Sequence, residues 1–176
     1  VLGVDRAGLV GADGETHHGT FDVPFLTGIP GFTVLCPANF EELRQMVRQA
    51  VFEIDGPVAV RYPRGGEGAF RENTADKPAV TLRQGKDAVI VTYGIQTNQA
   101  LAAAELLAEK GLEVGGLKLN RISPLDGEML EQYIGETDLL VVAEDCCAAG
   151  CVGQQINALL TERGSAPKRL ILKKYN

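Results

Sequence analysis

The sequence has no tryptophan, two methionines and two histidines, and aromatic residues make up only 6% of it. Its two histidines, His17 and His18, are adjacent. Neighbouring side chains tend to point apart, and the nearby carboxylates have no recognisable ligand spacing, so no metal site is assigned to the chain. No apolar run approaches the roughly 20 residues needed to cross a bilayer, and no basic-then-apolar leader opens the sequence. A cytoplasmic protein without membrane contact is expected. Lysine and arginine number 17 against 23 acids, giving a net charge of -6 and a pI near 5.0. The cations are scattered, which excludes a nucleic-acid binder that tracks a phosphate backbone. Cysteine is also sparse: Cys36 stands alone, and Cys146, Cys147 and Cys151 fit neither a paired zinc motif nor a spread disulfide framework. They are expected to be reduced and to act as small apolar fillers near strand ends. There is no P-loop, HExxH or Ser-His-Asp order, no covalent nucleophile is indicated, and no internal repeat or low-complexity tract occurs.

What is there is a chain of 176 residues, 45% of them hydrophobic, enough for one full core or two small ones. The opening VLGVD reads as the middle of an apolar strand with no cap or turn before it, as expected for a fragment. Further strands are expected at FTVLC (32–36), PVAVRYP (57–63), DAVIVTYG (87–94), VGGLKL (114–119), DLLVVAED (138–145) and RLILKK (169–174). Between them, Phe40, Leu43, Met46, Val47, Ala50, Val51 and Ile54 recur at helical spacing behind Asn39, which forms a capping box with Glu42. Other helices are expected over about 98–110, 126–134 and 152–163, with Gly111, Gly135 and Gly164 positioned as left-handed C-caps. The strands are continuous apolar runs, so both faces should be covered, which gives an α/β fold with right-handed parallel-sheet sandwiches. The aperiodic RGGEGAFRENTADKPA (64–79) reads as a connection between two such units.

Two segments carry candidate chemistry. DRAGLVGADGETHHGTFD (5–22) follows a strand of a parallel sheet, where ligands collect beyond the carboxyl ends of strands. Its glycines allow close backbone approach, and Arg6, Asp13 and His17 offer a phosphate fork, an acceptor and a titratable donor. A solvated turn around Asp13-Gly14, with His18 and Glu15 merely exposed, is the bland alternative. VRYPRGG (60–66) ends a second strand, and Pro63 forces an extended bend that can aim Arg64 into a cleft. If both strands lie in one parallel sheet, Arg6 and Arg64 emerge at the same edge and can hold one phosphate. The strand-turn-helix AEDCCAAGCVG (143–153) has the outline of a nucleotide loop, but tight strand–helix packing explains its two glycines equally well.

Taken together, DRAGLVGADGETHHGTFD, IPGFTVLCPANFEELRQM and DGPVAVRYPRG resemble the 1-deoxy-D-xylulose-5-phosphate synthase family, thiamine-diphosphate enzymes of the transketolase superfamily. The likeness is firm over 1–66 and looser to 176. It implies residues 1–66 as the back part of a pyrimidine-binding domain, 67–83 as linker and 84–176 as the transketolase C-terminal domain. It further implies a transferase that condenses pyruvate with D-glyceraldehyde 3-phosphate, with decarboxylation, to a precursor of isoprenoids, thiamine and pyridoxal. By the same resemblance Arg6 and Arg64 grip the aldehyde phosphate, Asp13 and His17 line the cleft, and His17 serves as the catalytic donor or shuttle. His18 stands where relatives often carry glutamine and is read as a tolerated neighbour. Thiamine diphosphate and Mg2+ are implied for the intact enzyme, with their ligands in a preceding diphosphate-binding domain and none here. The chain alone is expected to be inactive, and the intact enzyme to be a homodimer. EDCCAAGC departs from the family's usual run there, which leaves the role of that turn open. Two rival readings are the β-subunit or split chain of another superfamily enzyme, and a non-catalytic oligomerisation module.

Overall fold

A computed structural model describes residues 1–134 and 137–173. Its nine strands are β1 (Leu2–Val4), β2 (Thr33–Leu35), β3 (Val58–Arg61), β4 (Ala79–Arg83), β5 (Ala88–Tyr93), β6 (Val114–Leu119), β7 (Arg121–Ser123), β8 (Leu139–Ala143) and β9 (Arg169–Lys173). Five α-helices are interspersed: α1 (Asp22–Thr27), α2 (Phe40–Phe52), α3 (Thr97–Ala108), α4 (Gly127–Ile134) and α5 (Val152–Glu162). The strands form two sheets, β1-β3-β2-β7 and β4-β6-β5-β8-β9. Every pairing is parallel except at β7 and β4, which run antiparallel to β2 and β6 respectively.

The α/β fold with parallel-dominated sheets is as expected, and the two antiparallel strands β4 and β7 are additions at its edges. Neither has the continuous apolar run that marked the others: β4 reads AVTLR and β7 reads RIS. β4 falls inside 67–83, so that segment is not a free tether, and β7 carries the second half of the chain back onto the first sheet. No helix is expected from the sequence at α1, whose six residues are too few to show a helical period; its Pro24 sits in the first turn, where proline is tolerated. Elsewhere the periodic segments form the intended elements, and Gly111 and Gly164 take φ +80 and +76 past their helices. The cap expected at Gly135 and the end of the last apolar run at Lys174 lie outside the described residues.

Burial follows strand composition. β3 and β5 are buried along their whole length, as strands covered on both faces must be. One apolar cluster joins Val34 and Ala59 of the first sheet, and Cys36 just past β2, to Val91, Leu117 and Val142 of the second, so the two sheets share a core.

Beneath the helix α2 lies a buried polar hub. Asn39 accepts from the Glu42 backbone N–H at 2.9 Å, as a capping residue should, but Glu42 returns its Oε2 to the Ala38 N–H at 2.8 Å rather than to Asn39. The other carboxylate oxygen accepts from Lys118 Nζ at 2.8 Å and from the Thr74 hydroxyl at 2.8 Å. Glu42 and Lys118 are fully buried. Burial pulls the Lys118 pKa below its ordinary value, with Glu42 offsetting only part of the shift.

Candidate active site

The register Val4↔Arg61 ends β1 and β3 level with one another. Two further bonds, from Tyr62 N–H to Val4 O at 2.9 Å and from Ala7 N–H to Tyr62 O at 3.1 Å, carry the pairing past the strands. The segments after them therefore leave the sheet side by side. Arg6 donates through Nε to Asp13 Oδ2 at 2.7 Å, and Arg64 forms an ion pair with Asp13 Oδ1. Both guanidinium groups thus meet at one carboxylate, while Arg6 also contacts Asp5 at 2.5 Å. Arg6 and Arg64 keep 37% and 49% of their side-chain surface exposed, against 15% for Asp13, so the cationic tips remain open to a solute.

Arg6 sits at φ +60, a left-handed conformation that costs a residue with a Cβ on the order of 1 kcal/mol. The loop closes on itself where Gly8 and Gly19 exchange backbone bonds of 2.9 and 3.0 Å. Glycine is required at both places, because a Cβ on Gly19 would lie 2.4 Å from Arg6 O and one on Gly8 would lie 2.6 Å from Asp145 Oδ2.

The structure does not bring His17 into contact with the arginine–aspartate cluster. His17 is exposed on a short 3-10 turn (Glu15–His17), with Nδ1 3.0 Å from the Thr16 hydroxyl. His18 is more than a tolerated neighbour: it is half-buried, and its Nδ1 accepts from the Val10 N–H at 2.8 Å, which places the ring proton on Nε2 and fastens the loop across its width.

Arg61, three residues before Arg64, has the opposite role. It is 3% exposed and all its nitrogens are engaged: Nε with Asp22 Oδ2 at 2.7 Å, one terminal nitrogen with Asp145 Oδ1 at 2.7 Å, and the other with Gly19 O at 3.1 Å. Burial works against its charge, but Asp145, Tyr93 and Asp22 outweigh it and hold the pKa well above the ordinary arginine value. Asp22 and Asp145 went unnoticed in the sequence because they lie 39 and 84 positions from Arg61.

The turn after β8 is closed by its own residues. Glu144 accepts from the Val152 and Gly153 N–H groups at 2.9 and 3.0 Å, filling the N-terminus of α5 where an anion would otherwise sit. The Tyr93 hydroxyl and the Cys146 thiol also donate to it, at 3.0 and 3.2 Å. Burial, reinforced by Glu144, raises the pKa of both groups. No group of three potential metal ligands occurs among the described residues. A separate cavity of about 340 Å3, lined by Thr81, Arg83, Lys86 and Tyr133, lies on the second sheet away from the arginine pair.

A parallel-dominated α/β protein with two cationic side chains converging beyond its strand ends is the class this geometry defines. The model of the transketolase pyrimidine-binding domain matches residues 1–66 and that of the transketolase C-terminal domain residues 77–173; the chain belongs to the transketolase family. It is 38% identical over 175 residues to the 1-deoxy-D-xylulose-5-phosphate synthase of Chlorobium phaeovibrioides, covering 97% of this chain and 28% of that relative. Against the enzyme of the same name from Dechloromonas aromatica it is 41% identical over 169 residues, 93% of this chain and 26% of that one. The chain thus spans about a quarter of the length of these curated relatives. Among solved structures, a split-gene transketolase described as an inactive β4 tetramer superposes with a TM-score of 0.85 at 29% identity, over 99% of this chain and 56% of that one. A transketolase mutant from Pichia stipitis shares the fold at a TM-score of 0.72 and 17% identity, over 98% of this chain and 25% of its own.

Proposed function

We propose that this chain is the acceptor-binding portion of a thiamine-diphosphate-dependent synthase that condenses pyruvate with D-glyceraldehyde 3-phosphate, with loss of carbon dioxide, to 1-deoxy-D-xylulose 5-phosphate. One observation carries the reading: Arg6 and Arg64, from two adjacent strand ends, share the single carboxylate of Asp13. Asp13 holds the two cations at a common point, and a phosphate dianion, with more charge and more acceptor oxygens, can take its place between them. This remote, unreacting phosphate orients the aldehyde for attack. His17, exposed on the same loop, is assigned as the proton donor or shuttle, reaching substrate once the aldehyde is seated.

Residues 1–66 are assigned to the pyrimidine-binding domain and 84–176 to the C-terminal domain, joined by 67–83. Thiamine diphosphate, Mg2+ and their ligands are assigned to a diphosphate-binding part outside this chain, without which the chain is inactive. The working enzyme is assigned as a cytoplasmic homodimer; the thiols of Cys36, Cys146 and Cys147 suit a reducing compartment.

The test is kinetic, in the complete enzyme. Arg6→Ala keeps a Cβ and so leaves the cost of the left-handed backbone in place, isolating the charge. Either Arg6→Ala or Arg64→Ala should raise the KM for glyceraldehyde 3-phosphate about tenfold, since these contacts are charge-assisted but half exposed, while the KM for pyruvate stays unchanged. Unaltered aldehyde KM in both variants removes the phosphate assignment. The likeness to a split-gene transketolase favours a second reading, a β-chain that completes a two-chain transketolase. A ketose phosphate serving as donor in place of pyruvate would decide for it.

A further inference from the structure

We infer that Asp145 is a positioning residue for the substrate loop, acting from the second sheet through Arg61. The turn that carries it had no assigned role, yet it forms the floor of the loop Asp5–Asp22. Asp145 Oδ1 fixes one arm of the Arg61 guanidinium at 2.7 Å, and the other two nitrogens hold Gly19 O and Asp22, the far end of the loop. Asp145 Oδ2 lies directly under Gly8, at the near end, where there is no room for a Cβ. The Cys147 N–H adds a bond to Thr20 O at 2.7 Å, and a Cβ on Gly150 would meet Pro24 at 2.7 Å. Both ends of the loop therefore rest on a single buried carboxylate–guanidinium fork. A charged fork with three filled arms fixes position more tightly than a single neutral bond, and Arg6 and Asp13 inherit that position.

The consequence for the aldehyde rests on the function proposed above; the positioning itself does not. Amide hydrogen exchange in the 176-residue chain separates the two. In Asp145→Asn, which keeps shape and loses charge, and in Arg61→Lys, which keeps charge and loses the fork, the Gly8 and Gly19 amides should exchange about tenfold faster. The Val60 and Val91 amides in the strand cores should keep their protection. With only two histidines in the chain, the imidazole NMR signals of His17 and His18 give a second, resolved report on the loop. Unchanged exchange at Gly8 and Gly19, or equal acceleration at loop and core, overturns the inference, the second because it shows a purely global role. In the complete enzyme the same variants should raise the KM for glyceraldehyde 3-phosphate about tenfold and leave that for pyruvate alone. A loosened loop with unaltered aldehyde KM upholds the positioning and instead removes the loop from aldehyde binding.

Discussion

At the scale of single residues, position relative to the sheet decides what each ionisable group does. Arg61 and Arg64 are the same residue type three positions apart, yet one is a filled structural fork and the other an open cation, because Arg61 ends a buried strand and Arg64 follows Pro63 into solvent. Cys36 shows the same rule for a thiol. Burial, with Asp145 and Asp22 adding to it against Arg61 and Lys118, pushes its pKa up to about 12 from 9.0. A raised folded-state pKa means the native state holds its proton more tightly than the unfolded state. The associated stability is complete below pH 9 and is lost as pH rises through 12. Measured by urea unfolding, the stability difference between the parent chain and Cys36→Ala should move against the parent by about 1.4 kcal/mol between pH 8 and pH 10. A pH-independent difference would mean that the thiol ionises freely in the fold. In the candidate site, the convergence of Arg6 and Arg64 was legible in the sequence because each follows a recognisable strand end, and Asp13 because it lies on the glycine loop after the first of them. The contacts of Arg61 and His18 were not, since local sequence does not reveal which distant carboxylate or loop-crossing backbone N–H a side chain will meet.

Among elements, the periodic helices and the continuous apolar strands were legible, and α1 and the two antiparallel strands were not. The helix α2 announces itself through Asn39, Glu42 and an apolar stripe, and the structure spends Glu42 on more than a cap. By accepting from Ala38, Thr74 and Lys118 it fixes the segment after β2, the connection before β4 and the C-terminal end of β6 at one point. By contrast, β4 (AVTLR) and β7 (RIS) are broken by polar residues and carry no continuous apolar run to read. Lys118→Met removes the charge that balances Glu42 and leaves a buried carboxylate uncompensated. The expected loss is about 3–5 kcal/mol, read as a fall in the denaturation midpoint at unchanged slope. A loss under about 1 kcal/mol would show that Thr74 and the Ala38 amide suffice to hold Glu42.

Across the whole molecule, two family segments share one core and one sheet edge. Leu35 pairs with Arg121, so the first sheet takes its last strand from the second half of the chain, and Arg61 takes Asp145 from the same half. The shared apolar cluster has no division between the sheets. Residues 1–66 alone would leave β2 as an unpaired edge and Arg61 with one carboxylate in place of two. Breaking such a buried pair costs about 3–5 kcal/mol against a typical total of 5–15 kcal/mol, and the lost cross-sheet burial adds to it. The 66-residue piece should therefore show no cooperative unfolding transition. The full chain should unfold in one, with slow exchange at Val60 of the first sheet and Val91 of the second reporting the same free energy. Two separate transitions, or Val60 opening well before Val91, would mean that the sheets are independent and that the loop 5–22 is anchored from the first sheet alone.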